Sequence, residues 1–383
     1  MTLFFANNDM EDHMPMEIIR QYKYLIKPSL TQKQIMNDIF GSVRFVHNRF
    51  LDDVKAGKFM KGKAILILKG YREKYPFLKT VDGSALMNAI FQAQDSYDRL
   101  SRYKSRSDSF ASYTTGNLPK SPIKILNRDR VLIPKLGKVE MVYHRPLPKD
   151  SVIKKATIMR YPDGKYYISI CVSRDLPDTL ISPDQDKIIG IDYSSAHLFV
   201  DDKGNKADMP HYYKEMQERL TRERKKMQKM VKGSKNYYKQ KMKLASLYHR
   251  EKNQRQDYLH KLTSQMADQY DLICMEDLDM KSISQSYGLG KRTYDNAYGV
   301  FQRMLEYKMK ERGKKILYAD RYYPSSKTCH VCGYIIKDLR LSERQWECPM
   351  CHSILDRDVN AAINIKKQCL KNMQIRRVSG VGL

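Results

Sequence analysis

Lys187-Ile-Ile-Gly-Ile-Asp-Tyr193 carries four apolar or small residues that close on an acid, and Asp271-Leu-Ile-Cys-Met-Glu-Asp277 repeats the arrangement with Glu276 at its end. Short apolar runs without polar alternation read as strands buried on both faces. A third acid, Asp358, stands in Asp356-Arg-Asp-Val-Asn-Ala-Ala-Ile-Asn364, at the start of a helix expected over 358–367. Acids at strand ends and helix starts gather along one edge of a sheet, where they repel unless a cation sits between them. Each has a plain structural use when taken singly: Asp192 can begin a turn, Glu276 can pair with Lys281, and Asp358 can cap a helix. Taken jointly they point to metal-dependent phosphoryl chemistry. Hard carboxylate oxygens suit Mg²⁺ or Mn²⁺, and two such ions about 3.5–4 Å apart clamp the attacking and leaving oxygens of a phosphodiester. Asp277, Asp279 and Asp356 are weaker candidates, and Asp356 competes directly with Asp358.

Between the second and third acids lies Cys329-x-x-Cys332, fifteen residues, then Cys348-x-x-Cys351. Each turn presents two thiolates to one ion, and the intervening hairpin returns the second pair, so the spacing reads as a structural zinc ribbon. Four protein ligands leave no position open for substrate. His330 and His352 stand beside ligands and read as exposed or facing nucleic acid. The other cysteines, Cys171, Cys274 and Cys369, are scattered, and an odd total of 7 argues against a disulfide scaffold and for a reducing, cytoplasmic compartment.

The chain has 383 residues, more than one core usually spans, and a formal net charge of +27. Such an excess repels itself in a compact state, and a polyanionic partner is the usual relief. No apolar run approaches the roughly 18–20 residues of a membrane span. The opening residues lack a basic lead-in and a cleavage site, so no secretory signal is expected, and residues 1–15 read as a tail.

Residues 17–26 alternate as a strand; Pro28 ends it, and Ser29 or Thr31 caps a helix with Ile35, Ile39, Phe40, Val43, Val46 and Phe50 at helical spacing. A second helix is expected over 84–100. Residues 101–107 form a basic loop, 109–115 a β-prone run, and 123–172 several short strands with a Pro162-Asp163-Gly164 hairpin. Residues 174–186 read as a linker. Further on, 211–270 is helical apart from a break at 232–236, and from Lys214 to Arg255 it carries fifteen Lys or Arg against four Glu. Tyr212, Tyr213, Tyr237, Tyr238 and Tyr248 interleave with these charges, which favours a polyphosphate track over an ordinary solvated face. A Ser- and Gly-rich loop (281–291), a helix near 297–312 and a strand over 315–319 precede the ribbon.

The ordered motifs Gly190-Ile-Asp192, Glu276-Asp-Leu, Tyr323-Pro-Ser-Ser-Lys-Thr-Cys329, Trp346-x-Cys-Pro-x-Cys351 and Asp356-Arg-Asp-Val-Asn-Ala-Ala-Ile-Asn364 resemble those of TnpB proteins, transposon-encoded RNA-guided DNA endonucleases related to type V CRISPR effectors. Phe40-Gly-Ser-Val-Arg-Phe-Val-His-Asn-Arg-Phe50 extends the likeness to the first helix. The resemblance implies an α+β multidomain chain: a wedge β-barrel (17–35 and 109–180) with an inserted helical recognition module (36–108), and an RNase H-like RuvC α/β domain (187–322 and 355–370) interrupted by the zinc ribbon (323–354). Residues 1–16 and 371–383 would be tails, the second basic and flexible. It implies Asp192, Glu276 and Asp358 as catalytic acids holding two Mg²⁺, with Mn²⁺ as an alternative, and one zinc on Cys329, Cys332, Cys348 and Cys351. Guide RNA and double-stranded target DNA would be the partners of a monomeric, nucleoid-associated protein that reads a short motif beside its target. Asn48, Gln92, Tyr113, Thr114, Lys225 and Lys226 are candidate nucleic-acid contacts. Two departures stand out: Tyr193-Ser-Ser follows the first acid where Leu-Gly is common, and His352-Ser353 follows the ribbon where Gly is common. Alternatives are a CRISPR-associated effector of the same chemistry, a non-cutting RNA-guided binder, a plain zinc-ribbon module and a conventional transposase.

Overall fold

A computed structural model describes residues 16–378 apart from 58–63, 100–111, 128, 177–181, 195–196, 209, 280–296 and 341. The expected N-terminal tail and the loops over 101–107 and 281–291 therefore lie outside the described residues. The chain divides into two compact units, residues 1–177 and 178–383. No helix among the described residues is long and apolar enough to cross a membrane.

The first unit is built on a seven-stranded antiparallel sheet. Its strands are Met16–Lys27 (β1), Ser112–Gly116 (β2), Lys124–Asn127 (β3), Arg130–Ile133 (β4), Gly137–Val142 (β5), Val152–Arg160 (β6) and Tyr166–Leu176 (β7), in the spatial order β2-β6-β7-β1-β5-β4-β3. Helices Leu30–Lys55 (α1), Ala64–Lys74 (α2) and Gly83–Arg99 (α3) are inserted between β1 and β2. Ser29 caps α1 in a capping box: its hydroxyl accepts from the Gln32 amide at 3.2 Å, while the Gln32 side chain accepts from the Ser29 amide at 3.0 Å. The Gln32 amide group also donates to the carbonyls of Leu136 and Lys138, which moors the helix start to β5. Ile39, Phe40, Val43, Val46 and Phe50 are buried against α3 residues Leu86, Ile90 and Ala93 and the sheet. The expected linker begins too early. Residues 174–176 belong to β7, because β1 pairs with it over its whole length, from Ile26 opposite Tyr166 to Met16 opposite Leu176.

The second unit holds a five-stranded mixed sheet of Ile188–Tyr193 (β8), Phe199–Asp201 (β9), Lys206–Ala207 (β10), Leu272–Glu276 (β11) and Lys315–Ala319 (β12), in the order β10-β9-β8-β11-β12. β8, β9 and β10 are antiparallel neighbours, whereas β8, β11 and β12 run parallel. The basic helices are His211–Gln228 (α4) and Lys235–Gln269 (α5), broken at Gly233, whose φ of +91° suits a residue without a Cβ. Tyr298–Glu311 (α6) follows, then the small hairpin Gln345–Glu347 (β13) and Ile354–Asp356 (β14), and Arg357–Val378 (α7). The last helix continues to Val378, past residue 370 where the tail was expected to begin.

Period-two alternation sorts the buried strands onto two faces. Ile189, Ile191, Ile273 and Met275 pack with Leu259 and Met266 of α5 and Phe301, Leu305 and Met309 of α6. Ile188, Leu272 and Cys274 pack the other way, with Ile365 and Cys369 of α7. Gly190 lies on this second face. A Cβ built there would fall 2.2 Å from the Ala362 carbonyl oxygen and 2.8 Å from the Lys366 Cβ, so α7 rests directly on the backbone of β8.

Gly190→Ala should therefore push α7 off the sheet, since the clash is with helix backbone that cannot turn aside. Overpacking of this kind costs about 1–3 kcal/mol or more. A thermal unfolding midpoint equal to that of the unaltered chain would contradict the close approach.

Candidate catalytic acids and thiol cluster

Parallel pairing sets the site. Leu272 is level with Ile188, Ile273 with Ile189 and Cys274 with Gly190. Carried two residues further, that register puts Asp192 level with Glu276, each at the carboxyl end of its strand, the end where crevices form in α/β sheets. Both share the parity of Gly190 and Cys274, so both fall on the face that α7 covers. Asp358 occupies the first turn of α7.

Asp192 is 9 % exposed. Burial first, then the charges of Glu276 and Asp358, push its carboxyl well above the ordinary range, while the Arg357 guanidinium pulls the other way. Burial also raises Glu276, opposed by the Ser325 hydroxyl, which donates to Glu276 Oε1 at 2.5 Å. Asp358 faces Arg344, whose Nη1 is 3.3 Å from both carboxylate oxygens, and the Ser194 hydroxyl at 3.5 Å. Asp192 feels the charges of both Glu276 and Asp358, yet the three carboxylates do not close on a single point. Among the described residues, the only group of three or more metal-capable side chains with all ligand atoms within 4.8 Å is the four cysteines.

The competition between the neighbouring acids has a structural answer. Asp356 Oδ1 accepts from the amides of Asp358 at 3.0 Å and Val359 at 3.1 Å, so its carboxylate caps the start of α7. Asp277 is held by Arg321 at 2.8 Å. Two buried hydroxyls, of Tyr193 and Tyr298, have no hydrogen-bond partner, and their rings meet at 4.8 Å. Burial, then the charges of Asp192 and Glu276, drive the Tyr298 phenol strongly upward. The mutually repelling carboxylates of Asp192, Glu276 and Asp358 offer hard oxygens, a donor set that suits a hydrated divalent cation.

The four thiols form two matched knuckles. The amide of Gly333 donates to the Cys329 carbonyl at 2.9 Å, and the His352 amide donates to Cys348 at the same distance. The amides of Cys329 and Cys348 in turn donate to the carbonyls of Tyr334 and Ser353. Cys329 and Cys351 Sγ are 3.6 Å apart, Cys332 and Cys348 3.5 Å. Hydrogen bonds from Ser353 hold the Cys351 thiol down to about 6. This tetrad can hold a zinc ion. Neither neighbouring histidine joins it. His330 Nδ1 lies 3.0 Å from Asn360 Oδ1, and His352 pairs with Glu347 at 3.0 Å. Matching backbone explains the departure at His352: its φ is +57°, against +79° at Gly333 in the first knuckle, so the turn that usually takes Gly here strains a histidine.

The suggested nucleic-acid contacts divide. Gln92 is exposed on α3, Lys225 is exposed on α4, and Asn48 is half-buried beside His47. Lys226 is exposed but pairs with Glu223 at 3.2 Å. Tyr113 and Thr114 are corrected: Tyr113 is 2 % exposed and packs on Phe40 in the core, and Thr114 is buried with its hydroxyl 2.9 Å from that of Thr157. The β-prone run joined the sheet, which hides these side chains. The sequence reading missed Ser325, Ser194 and Arg344. Ser325 lies inside the quoted Tyr323–Cys329 motif, the one signal that could have found it.

Comparison with known proteins adds three family matches. Residues 14–56 match a helix-turn-helix domain of the OrfB/IS605 type, residues 169–286 the OrfB/IS605 family described as “Probable transposase”, and residues 298–365 the “Cas12f1-like, TNB domain”. The first of these stretches is a strand followed by a single helix in this chain. A Streptomyces pristinaespiralis protein named “Putative RNA-guided DNA endonuclease” is 28% identical over 368 residues, covering 92% of this chain and 90% of that one. A similarly named Mycobacterium tuberculosis protein is 37% identical over 99 residues, 24% of this chain and 21% of that one. Among solved structures, the fold is similar to a chain of a Cas12f1–sgRNA–target DNA complex, with a TM-score of 0.60 over 91% of this chain and 99% of that one, at 12% identity.

Two outcomes are expected. Asp192 keeps its proton to higher pH when folded than when unfolded, so ionising it above the ordinary value of 3.8 costs folding free energy, and metal-free stability falls as pH rises through that window. Asp192→Asn should raise the unfolding midpoint in EDTA at pH 7.5, by on the order of 1 kcal/mol, with the gain shrinking toward pH 4. His352→Gly should stabilise the ribbon by about 0.5–1 kcal/mol, because Gly adopts positive φ freely and the exposed pair with Glu347 contributes little. Thermal melts over a pH series check the first, and melts at fixed pH the second.

Proposed function

The chain belongs to the TnpB family, and on that premise we propose that it is an RNA-guided DNA endonuclease whose catalytic acids are Asp192, Glu276 and Asp358. One observation carries this reading: two parallel strands and the helix that covers them bring three acids of that family's motifs to one face of one sheet edge. In this reading β1 and β2–β7 correspond to a wedge barrel, α1–α3 to the recognition module inserted in it, and the sheet of β8–β12 with α7 to a RuvC-like nuclease. Strand order, with three antiparallel strands continued by two parallel ones, supports the last assignment.

Asp192, Glu276 and Asp358 would hold Mg²⁺, with Mn²⁺ as an alternative on the same oxygens, and the bound ions would supply activation of a water and neutralisation of charge on the leaving oxygen of a DNA phosphodiester. The chain's own groups prepare for this. Burial keeps Asp192 from bulk water, Ser325 fixes the rotamer of Glu276, and Asp356 caps α7, so that Asp358 faces Arg344 and is not spent on the helix start. Cys329, Cys332, Cys348 and Cys351 would hold one structural zinc. Exposed lysines on α4 and α5 suit the phosphates of guide RNA and double-stranded target DNA, with Asn48 and Gln92 as further contacts and a short motif beside the target read by the protein. A monomer associated with the nucleoid fits this activity. The family match over 298–365 favours a second reading of the same chemistry, a type V-like CRISPR effector, which a repeat array beside the gene would distinguish.

The test is expression beside the native flanking DNA. A discrete RNA should copurify, and the complex should cut DNA matching that RNA only with a divalent ion. Asp192→Ala should retain the RNA and lose cutting by at least about 10³-fold. Retention of no discrete RNA at moderate salt would sink the guided reading, and undiminished cutting by the variant would sink the assignment of the acids.

A further inference from the structure

Ser325 sits in Tyr323-Pro-Ser-Ser-Lys-Thr328, between the last strand of the sheet and the first zinc-cluster cysteine, and is buried. Its hydroxyl donates to Glu276 Oε1 at 2.5 Å. Its backbone is gripped from the other side. Asn364 Nδ2 donates to the Ser325 carbonyl at 2.9 Å and to the Thr328 carbonyl at 2.5 Å, and Asn360 Nδ2 donates to Thr328 at 2.7 Å. Asn360 Oδ1 accepts from the His330 amide at 2.9 Å, one residue beyond Cys329. Both asparagines are on α7 and nearly inaccessible, at 1 % and 2 % exposure. A continuous set of buried hydrogen bonds thus runs from the thiol cluster through the 324–328 turn to Glu276, and the helix that carries Asp358 is one of its walls.

We propose that Ser325 is a positioning residue for the divalent-ion site, its hydroxyl orienting the Glu276 carboxylate while Asn360 and Asn364 lock the turn to α7 and the thiol cluster. The proposal rests on the acid-site reading above. The physical reason is that a glutamate has three rotatable bonds, and among the described residues only Ser325 is seen fixing the carboxylate end of this one. Buried donors on ligating carboxylates commonly set metal affinity by about 10–100-fold. Asparagine is needed at 360 and 364 because one amide must donate to carbonyls that would otherwise be buried without partners. The arrangement also gives the thiol cluster a role at a distance: loosening the ribbon frees the turn, and with it Glu276.

The experiment uses the full-length chain and Mn²⁺ as probe, with free ion followed by EPR, and Asp192→Asn supplying the background from sites elsewhere. Cutting is measured alongside over a Mg²⁺ series. Ser325→Ala should keep its melting temperature within a few degrees of the unaltered chain, weaken the Asp192-dependent Mn²⁺ binding about tenfold, and shift half-maximal Mg²⁺ for cutting upward by a similar factor. Ser325→Thr, which keeps the hydroxyl, should restore both. Equal Mn²⁺ binding by the unaltered chain and Ser325→Ala overturns the proposal and leaves the acid site standing. So does a Ser325→Ala chain that has lost its cooperative melt, because the residue is then a structural support only. Absence of any Asp192-dependent binding in the unaltered chain overturns the acid-site reading itself, and the proposal with it.

Discussion

Direct contact between the backbone of β8 and the backbone of α7 is the constraint on which the second unit depends. Gly190 offers no side chain, so the Ala362 carbonyl comes to where a Cβ would be. This proximity has a geometric consequence. An interposed side chain would lift the helix by the width of a methyl group or more, and the first turn of α7, with Asp358, would move away from the ends of β8 and β11. The same helix face buries Ile365 and Cys369 against Ile188, Leu272 and Cys274, so one surface both completes the core and delivers the third acid.

Electrostatics opposes what packing imposes. Asp192 is buried near two other carboxylates, and among the described residues no buried base is seen paired with it; Arg357 acts as a partial counterweight. The cost is a raised pKa, which is how a buried acid avoids ionising when its surroundings cannot stabilise the charge. Asp358, nearer to solvent, is met by Arg344 instead. A folded chain that tolerates such repulsion is one whose packing holds the acids in place regardless, and the asparagine-bonded turn with its thiol cluster supplies much of that hold.

Sequence reasoning succeeded where one residue type in one spacing has one physical use. Ser29, one of two caps expected for the first helix, is the cap; Pro162-Asp163-Gly164 is a hairpin with Gly164 at φ +81°, and two Cys-x-x-Cys turns converge as four thiols. It failed where burial decides. Tyr113 and Thr114 stood in a β-prone run as candidate nucleic-acid contacts, but pairing of β2 with β6 placed them inside. Helix α2 was passed over because its Ile65 and Leu66 are exposed, which blurs the apolar stripe that would reveal it. Arg344 and Ser325 are ordinary residues in sequence, and their partners lie fourteen and forty-nine positions away.

The amino-acid sequence by itself determined the list of parts: two buried strands ending in acids, a helix opening on Asp358, a thiol tetrad and a strongly basic helical pair. These follow from local pattern, since periodicity, turn chemistry and ligand spacing act over a few residues. Only the tertiary structure decided which parts meet. Parallel register levels Asp192 with Glu276, alternation turns both toward α7, and the missing Cβ at Gly190 lets that helix approach. These depend on pairing and close packing between segments far apart in the chain, which no local pattern encodes.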